Sequence, residues 1–328
     1  MIWCRSLVAL LHKSHSDRIG FAVILIQTAL AQEFDAIARV MLTATKASSK
    51  TSSQDSSQGS SQAKFGRGSP RGLDRGFDAG ACRGPSQFQS TCQGPESGPQ
   101  SGPQSGSGRF LRGTLAEIDC GLLQTGMGSA GTHRCLHQWL SQNTLPRMVL
   151  SIGLAGALKN GMQLGQRFLI QSIHREPDTG PHYSCPLVKL FSLIQPNVPW
   201  ERMVTVDEAL VTPSAKSRLA CQSGAGLCDM ETYAVASLAA ERGIAWLGAR
   251  IVSDTAAHFI RPWMLTLPEK VEQRRWSRLA MQIATHPQDW LSLVGLSVRM
   301  LKLQRQLADF SVELIRHVAE PLGLPDTD

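Results

Sequence analysis

Beyond Gly108 the chain alternates short apolar runs with helical patterns, and that alternation limits the possible fold more than any other feature. The runs are Phe110–Leu115, Cys120–Gln124, Arg147–Ile152, Arg167–Ser172, Met203–Val206 and Trp246–Val252, each bounded by Gly or polar turns. Helical periodicity fills Ala130–Gln142 and Met230–Arg242 between them. Buried strands alternating with helices predict an α/β fold, a single domain whose central, largely parallel or mixed twisted sheet is flanked by helices. In such sheets ligands gather at the carboxyl ends of the strands, where several of this chain's Gly-rich turns fall.

The same alternation begins earlier. Phe21-Ala22-Val23-Ile24-Leu25-Ile26 reads either as the apolar core of a secretory signal closing on Ala29-Leu30-Ala31, or as a buried first strand. Two observations favour the strand. The polar leader over 1–20 is long for a signal, and a helical period of Leu30, Phe34, Ile37 and Val40 runs straight through the supposed cleavage point.

Between this unit and the rest stands a block of different character. From Ser48 to Gly108, Ser, Gly, Gln and Pro supply 40 of 61 positions, ending in a Gly-Pro-x-Ser repeat over 94–105. So little apolar surface cannot offset the roughly 1–2 kcal/mol per residue that ordering a chain costs, and the block is expected to be a disordered insertion. The predicted organisation is a leader (1–20), a first strand and helix (21–47), the insertion (48–108), and the remainder of the domain with a helical C-terminal extension (109–328). In that extension Leu293, Leu296, Met300, Leu303, Leu307, Phe310 and Leu314 form one helical stripe, suited to packing on the chain's own sheet or to a subunit contact.

Composition excludes several partners. The net charge of +7 is dispersed. Its densest cluster, Lys270 to Arg278, is interrupted by Glu272 and reads as the wet face of a helix, so no nucleic-acid partner is expected. No apolar run approaches the roughly 18 residues of a membrane span, and no membrane partner is expected. The eight cysteines lack CxxC pairs and zinc-finger histidines, so neither a metal site nor a disulfide framework is predicted, and a reducing, cytoplasmic setting follows.

Three stretches at strand ends carry chemistry. Thr125-Gly126-Met127-Gly128 and Ser151-Ile152-Gly153-Leu154-Ala155-Gly156-Ala157-Leu158 are glycine-rich segments that let backbone amides approach a ligand, although neither is a complete nucleotide-binding motif. The third is Asp229-Met230-Glu231, followed about twenty residues on by Arg250-Ile251-Val252-Ser253-Asp254. Acidic residues at a helix start commonly serve only as dipole partners. Asp254, directly after a buried strand, stands where substrates bind.

The order of these segments resembles the nucleoside phosphorylase and nucleosidase superfamily, most of all the methylthioadenosine/S-adenosylhomocysteine nucleosidases of methionine salvage. The resemblance covers 21–40 and 108–256. It rests on the strand-to-helix opening with Glu33, the TGxG turn, the G-x-A-G-A-L loop, the Asp-Met-Glu helix start and the Ser-Asp pair. It implies a cofactor-free homodimer acting on a small-molecule nucleoside. Glu33 would activate water, Asp254 would protonate the departing purine, and Ser253 and Arg250 would lie beside it. Glu231 would bind the ribose hydroxyls over Met230, with Gly128, Gly153 and Ala155 on the substrate-facing segments.

The implied chemistry explains the residue types. Cleavage of an N-glycosidic bond passes through a ribosyl cation, so the base must be protonated as it leaves and carboxylates must face the developing charge. Asp254 is accordingly expected in its protonated form and Glu33 ionised.

Departures from the family pattern shape the expectation. Phosphorylases of the superfamily usually carry an Arg where this chain has Ser151, which favours hydrolysis over phosphorolysis. Nucleosidases often have a Ser at the position of Leu154 and an aromatic at that of Leu210. The segment 174–200 is short and Pro-rich. A phosphorylase, a nucleosidase for a larger adenosyl-linked substrate, and a degenerate nucleoside-binding protein are the alternatives.

Overall fold

In a computed structural model the described residues are 24–55, 108–177, 180–194, 197–266, a few positions between 277 and 285, and 290–319. The polar leader, most of the Ser-rich block and the Lys270–Arg278 cluster lie outside them. In chain order the strands are β1 (Ile24–Thr28), β2 (Arg109–Leu115), β3 (Ile118–Gln124), β4 (Met148–Ala157), β5 (Arg167–Arg175), β6 (Tyr183–Ser184), β7 (Trp200–Thr205), β8 (Leu227–Asp229) and β9 (Ala245–Asp254). The helices are α1 (Ala31–Asp55), α2 (Ser129–Gln142), α3 (Val188–Ile194), α4 (Pro213–Ser223), α5 (Thr232–Arg242) and α6 (Trp290–Ala319).

The six expected runs beyond the Ser-rich block are all strands, and the first strand is present with every described residue buried. Helix α1 buries Phe34, Ile37 and Met41 and continues to Asp55, inside the Ser-rich block rather than stopping before it. The glycine-rich segment 151–157 is strand rather than loop. It stays extended because β4 is paired along its whole length with β9, in parallel.

β4 is where the sheet divides. Its first residues, Met148 to Ser151, pair with β1, and its last, Gly156 and Ala157, pair with β8. Beyond β8 the order runs through β7 and β5, and β5 returns to β9. The strands β4, β8, β7, β5 and β9 therefore close into a ring, while β1, β3 and β2 extend from β4 as a wing. Between Ser151 and Gly156 neither neighbour covers β4 on that side, a gap of the kind in which α/β sheets bind ligands.

Two helix pairs cover the sheet: α1 packs against α6, and α2 against α5. The C-terminal stripe packs on the chain's own core from Leu303 through Leu307, Phe310 and Leu314. Among the described residues no helix is long and apolar enough to cross a membrane. No disulfide joins the described cysteines 120, 135, 185, 221 and 228.

Candidate active site

A cavity of about 160 Å³ opens at the gap in β4, lined by Leu154, Ala155 and Gly156 from that strand. The other walls bring Ala29, Leu30 and Glu33 from the start of α1, Met127 from the turn after β3, and Asp229, Met230 and Glu231 from the end of β8. Ser253 and Asp254 close it from the end of β9, with Leu210 and Lys216 opposite the wing. Four carboxyl groups thus meet in one pocket.

Glu33 is positioned by its own helix. It stands at the third position of α1, and its Oε2 accepts the N–H groups of Ala29 (3.1 Å) and Leu30 (3.0 Å), the reach-back half of a capping box. Its Oε1 accepts the Leu154 N–H (2.9 Å), an amide left free because β1 has already ended. Burial pushes the carboxyl above its ordinary range, opposed by the Leu30 and Leu154 amides and by the positive charge of Arg250.

Glu231 occupies the N-cap position of α5, but its Oε1 accepts the Gly128 N–H at 2.8 Å and not an amide of its own helix. The turn that offers this amide needs glycine at both Gly126 (φ 82°) and Gly128 (φ 90°), a region costly for residues with a Cβ. Burial, reinforced by neighbouring Asp229, pushes the Glu231 carboxyl up to about 8. Gly128 therefore acts through Glu231, and Gly153 likewise lies behind Glu33; neither lines the cavity.

Asp254 is held from two sides. Ser253 Oγ donates to its Oδ1 at 2.7 Å, and the ammonium of Lys216 forms an ion pair with its Oδ2. The expected acid therefore has a buried basic side chain as its direct neighbour. Lys216 is the site residue that sequence reasoning missed. Its helix announces itself, with Thr212 capping, Pro213 at the first turn and Gly224 at the C-terminus, but the partner lies 38 residues away.

Arg250 does not line the cavity. Its guanidinium is buried beneath the floor, donating to Asp229 Oδ2 (2.9 Å), Ser151 O (2.8 Å), Ser151 Oγ (2.9 Å) and the hydroxyl of Thr232. Asp229 also accepts from Thr205 Oγ1 (2.7 Å) and the Thr232 amide (3.0 Å). Ser151 passes its own proton to Gln27 (2.8 Å), which reaches Thr125 (2.8 Å). This network ties β1, β3, β4, β8 and β9 together below the pocket. With its hydroxyl spent there, Ser151 presents no cation to an anionic co-substrate. Among the described residues no group of three or more His, Cys, Asp or Glu is arranged to hold a metal ion.

Comparisons with known proteins bear on the family and the fold. The model of the phosphorylase superfamily matches residues 85–281, well over half of the chain, and contains every site residue named above except those from β1 to α1. No curated protein matches the chain. Among solved structures, 5′-methylthioadenosine/S-adenosyl homocysteine nucleosidase from Campylobacter jejuni is 10% identical with a TM-score of 0.55, over 90% of this chain and 99% of that one. The same enzyme from S. pneumoniae, with a transition-state inhibitor, is 11% identical with a TM-score of 0.53, over 90% and 99%. Futalosine hydrolase of Helicobacter pylori is 14% identical with a TM-score of 0.51, over 90% and 97%. At these identities the structures share the fold, and the sequence match carries the relationship: the chain belongs to the phosphorylase superfamily.

Proposed function

We propose that the protein hydrolyses the N-glycosidic bond of a purine nucleoside of the methylthioadenosine/S-adenosylhomocysteine type, releasing adenine. The observation that carries this reading is the convergence of Glu33, Glu231 and Asp254 on one pocket, from α1, the start of α5 and the end of β9. A ribosyl cation forming among them is stabilised by carboxylates, and electrostatic preorganisation of this kind commonly contributes more to catalysis than any other single effect. In this reading Glu33 takes the proton of the attacking water, and Glu231 holds the ribose hydroxyls above Met230. Asp254, aligned by Ser253, protonates the base. Arg250 and Ser151 support the floor, Ala155 lines the wall, and Gly128 and Gly153 act from behind it through Glu231 and Glu33.

Hydrolysis is favoured over phosphorolysis by charge. Among the described residues lining the pocket the only cation is Lys216, already paired, so a phosphate dianion would meet four carboxyl groups and no free positive partner there. A larger adenosyl-linked substrate is the second reading, supported by the aliphatic Leu154 and Leu210 and by the half-exposed Met127 at the pocket. A cytoplasmic homodimer completes the proposal, and sedimentation of the purified protein tests the dimer.

The activity is tested by incubating purified protein with methylthioadenosine, S-adenosylhomocysteine, inosine and uridine, with and without phosphate. Free base released without phosphate is expected. Ribose 1-phosphate would identify a phosphorylase, and binding without turnover would identify a non-catalytic nucleoside-binding protein.

A further inference from the structure

We propose that Lys216 is a positioning residue that supplies, through Asp254, the proton taken by the departing base; this rests on the nucleosidase reading above. α4 buries only two of its residues, Leu219 and Lys216, and Lys216 is 1% exposed. Withdrawing an ammonium and a carboxylate from water costs several kcal/mol per ion, and apolar residues of similar volume often serve stability as well or better. A buried Lys–Asp pair opening into a pocket is therefore poorly explained by stability alone.

The geometry is specific. The ammonium has three donor directions, and its partners are Asp254, Thr255 O (2.9 Å) and the more distant His258 O (3.5 Å). With its donors committed in this way, Lys216 has none left to read a substrate directly, so its influence passes through the carboxylate. Ser253 fixes the other oxygen of the same carboxylate and is itself tied to Ala155 O (3.2 Å). Gly156 keeps the approach open, since a Cβ there would lie 3.2 Å from Asp254 Oδ2.

The proton balance follows. As the C1′–N9 bond breaks, its electron pair stays with the purine. Asp254 passes a proton to N7 while taking one from the Lys216 ammonium. Water adds its oxygen to C1′ and gives a proton to Glu33. The pair is left as neutral amine and carboxylate, and exchange with solvent moves the proton gained by Glu33 back to Lys216. One nucleoside and one water become one base and one free sugar.

The test compares wild type, Lys216→Met, Asp254→Asn and the double variant on methylthioadenosine and on a nitrophenyl riboside, whose leaving group needs no proton. Lys216→Met is expected to lower kcat on the nucleoside about 10²-fold or more, as loss of an acid catalyst does, with KM changed less than about 3-fold. On the nitrophenyl riboside the loss should stay below about 10-fold. In the Asp254→Asn background, which also removes the uncompensated charge, adding Lys216→Met should cost less than about 2-fold. Equal losses on both substrates, additive losses in the double variant, or wild-type kcat in Lys216→Met would each overturn the proposal. A wild-type protein that releases no base from any nucleoside sinks the nucleosidase reading before any variant is compared.

Discussion

Gly153 and Glu33 are so close that a Cβ added to the glycine would stand 2.9 Å from Glu33 Oε1. The strand passes directly behind the carboxylate and supports it. Gly153→Ala should push that carboxylate toward the pocket while leaving the strand pairing intact. A displacement approaching 1 Å costs on the order of 10²-fold in rate. We expect kcat to fall by about that factor with an unchanged circular dichroism spectrum; full activity in the variant would mean that the position of Glu33 is not critical.

Glu33→Gln and Asp254→Asn should each lower kcat by about 10²–10⁴-fold, the usual contribution of one general acid or base. Both substitutions preserve size and exchange one accepting oxygen for a donating amide, so substrate binding measured by calorimetry should largely survive. Near-normal turnover in either variant would remove that residue from the mechanism.

Arg250 makes a different prediction, because its contacts are to the protein and not to the cavity. Arg250→Met leaves Asp229 buried without its cation, a change that costs roughly 3–5 kcal/mol in comparable pairs. The loss should be read in urea unfolding, and the double variant Arg250→Met/Asp229→Asn should recover part of it. A cost below about 1 kcal/mol would contradict the bracing role.

The Glu231 carboxyl, raised to about 8 by burial, links stability to pH. An unfolded glutamate ionises near 4.5, so from there to about 8 the folded chain binds the additional proton. Its stabilising contribution is whole below that window, declines as pH rises through it and is gone above the folded value. Glu33, shifted in the same direction, adds to the slope. We expect the melting temperature to drop as pH is raised from about 5 to 8, and Glu231→Gln to flatten that drop by at least about 2 °C. A wild-type profile that rises over this range would contradict the sign.

Leu210→Phe tests the aliphatic wall. Leu210 lines the pocket. In the proposed reading an aromatic side chain there would stack on the base, an interaction worth roughly 1–3 kcal/mol. The substitution should tighten binding of an adenine nucleoside about 5-fold or more in calorimetry. Weaker binding would indicate that the base does not lie against this residue.

Much of this architecture is legible in the chain itself, and the gaps have physical causes. Buried strands such as β4 and β9 declare themselves because a buried strand needs a continuous apolar run. β8 does not, since three residues are too few to show a pattern. Cys228 and Asp229 therefore look like the approach to a helix, although they form the strand that brings Asp229 to the floor. Gly153 to Ala157 resemble a loop because glycine is rare in strands, and pairing with β9, joined at Gly156 and Ala157 by β8, keeps them extended. Glu33 and Asp254 are visible because each follows a strand. The motif around Arg250 suggests a place beside the substrate, whereas its partners, Ser151, Asp229 and Thr232, lie on three other segments. Lys216 escapes detection for the same reason: an ion pair across the fold leaves no trace in local spacing.

The local anchoring of Glu33 has an evolutionary consequence. The carboxylate is set within one helical turn, by amides four and three residues before it and one amide on β4. The Ser-rich block begins toward the opposite end of α1. Ser48, where the block begins, lies 15 residues beyond Glu33, a span of about 22 Å at the rise of an α-helix. Some 61 residues of foreign composition can stand there without shifting the carboxylate, so chain length at that junction can change without reaching the geometry at the near end.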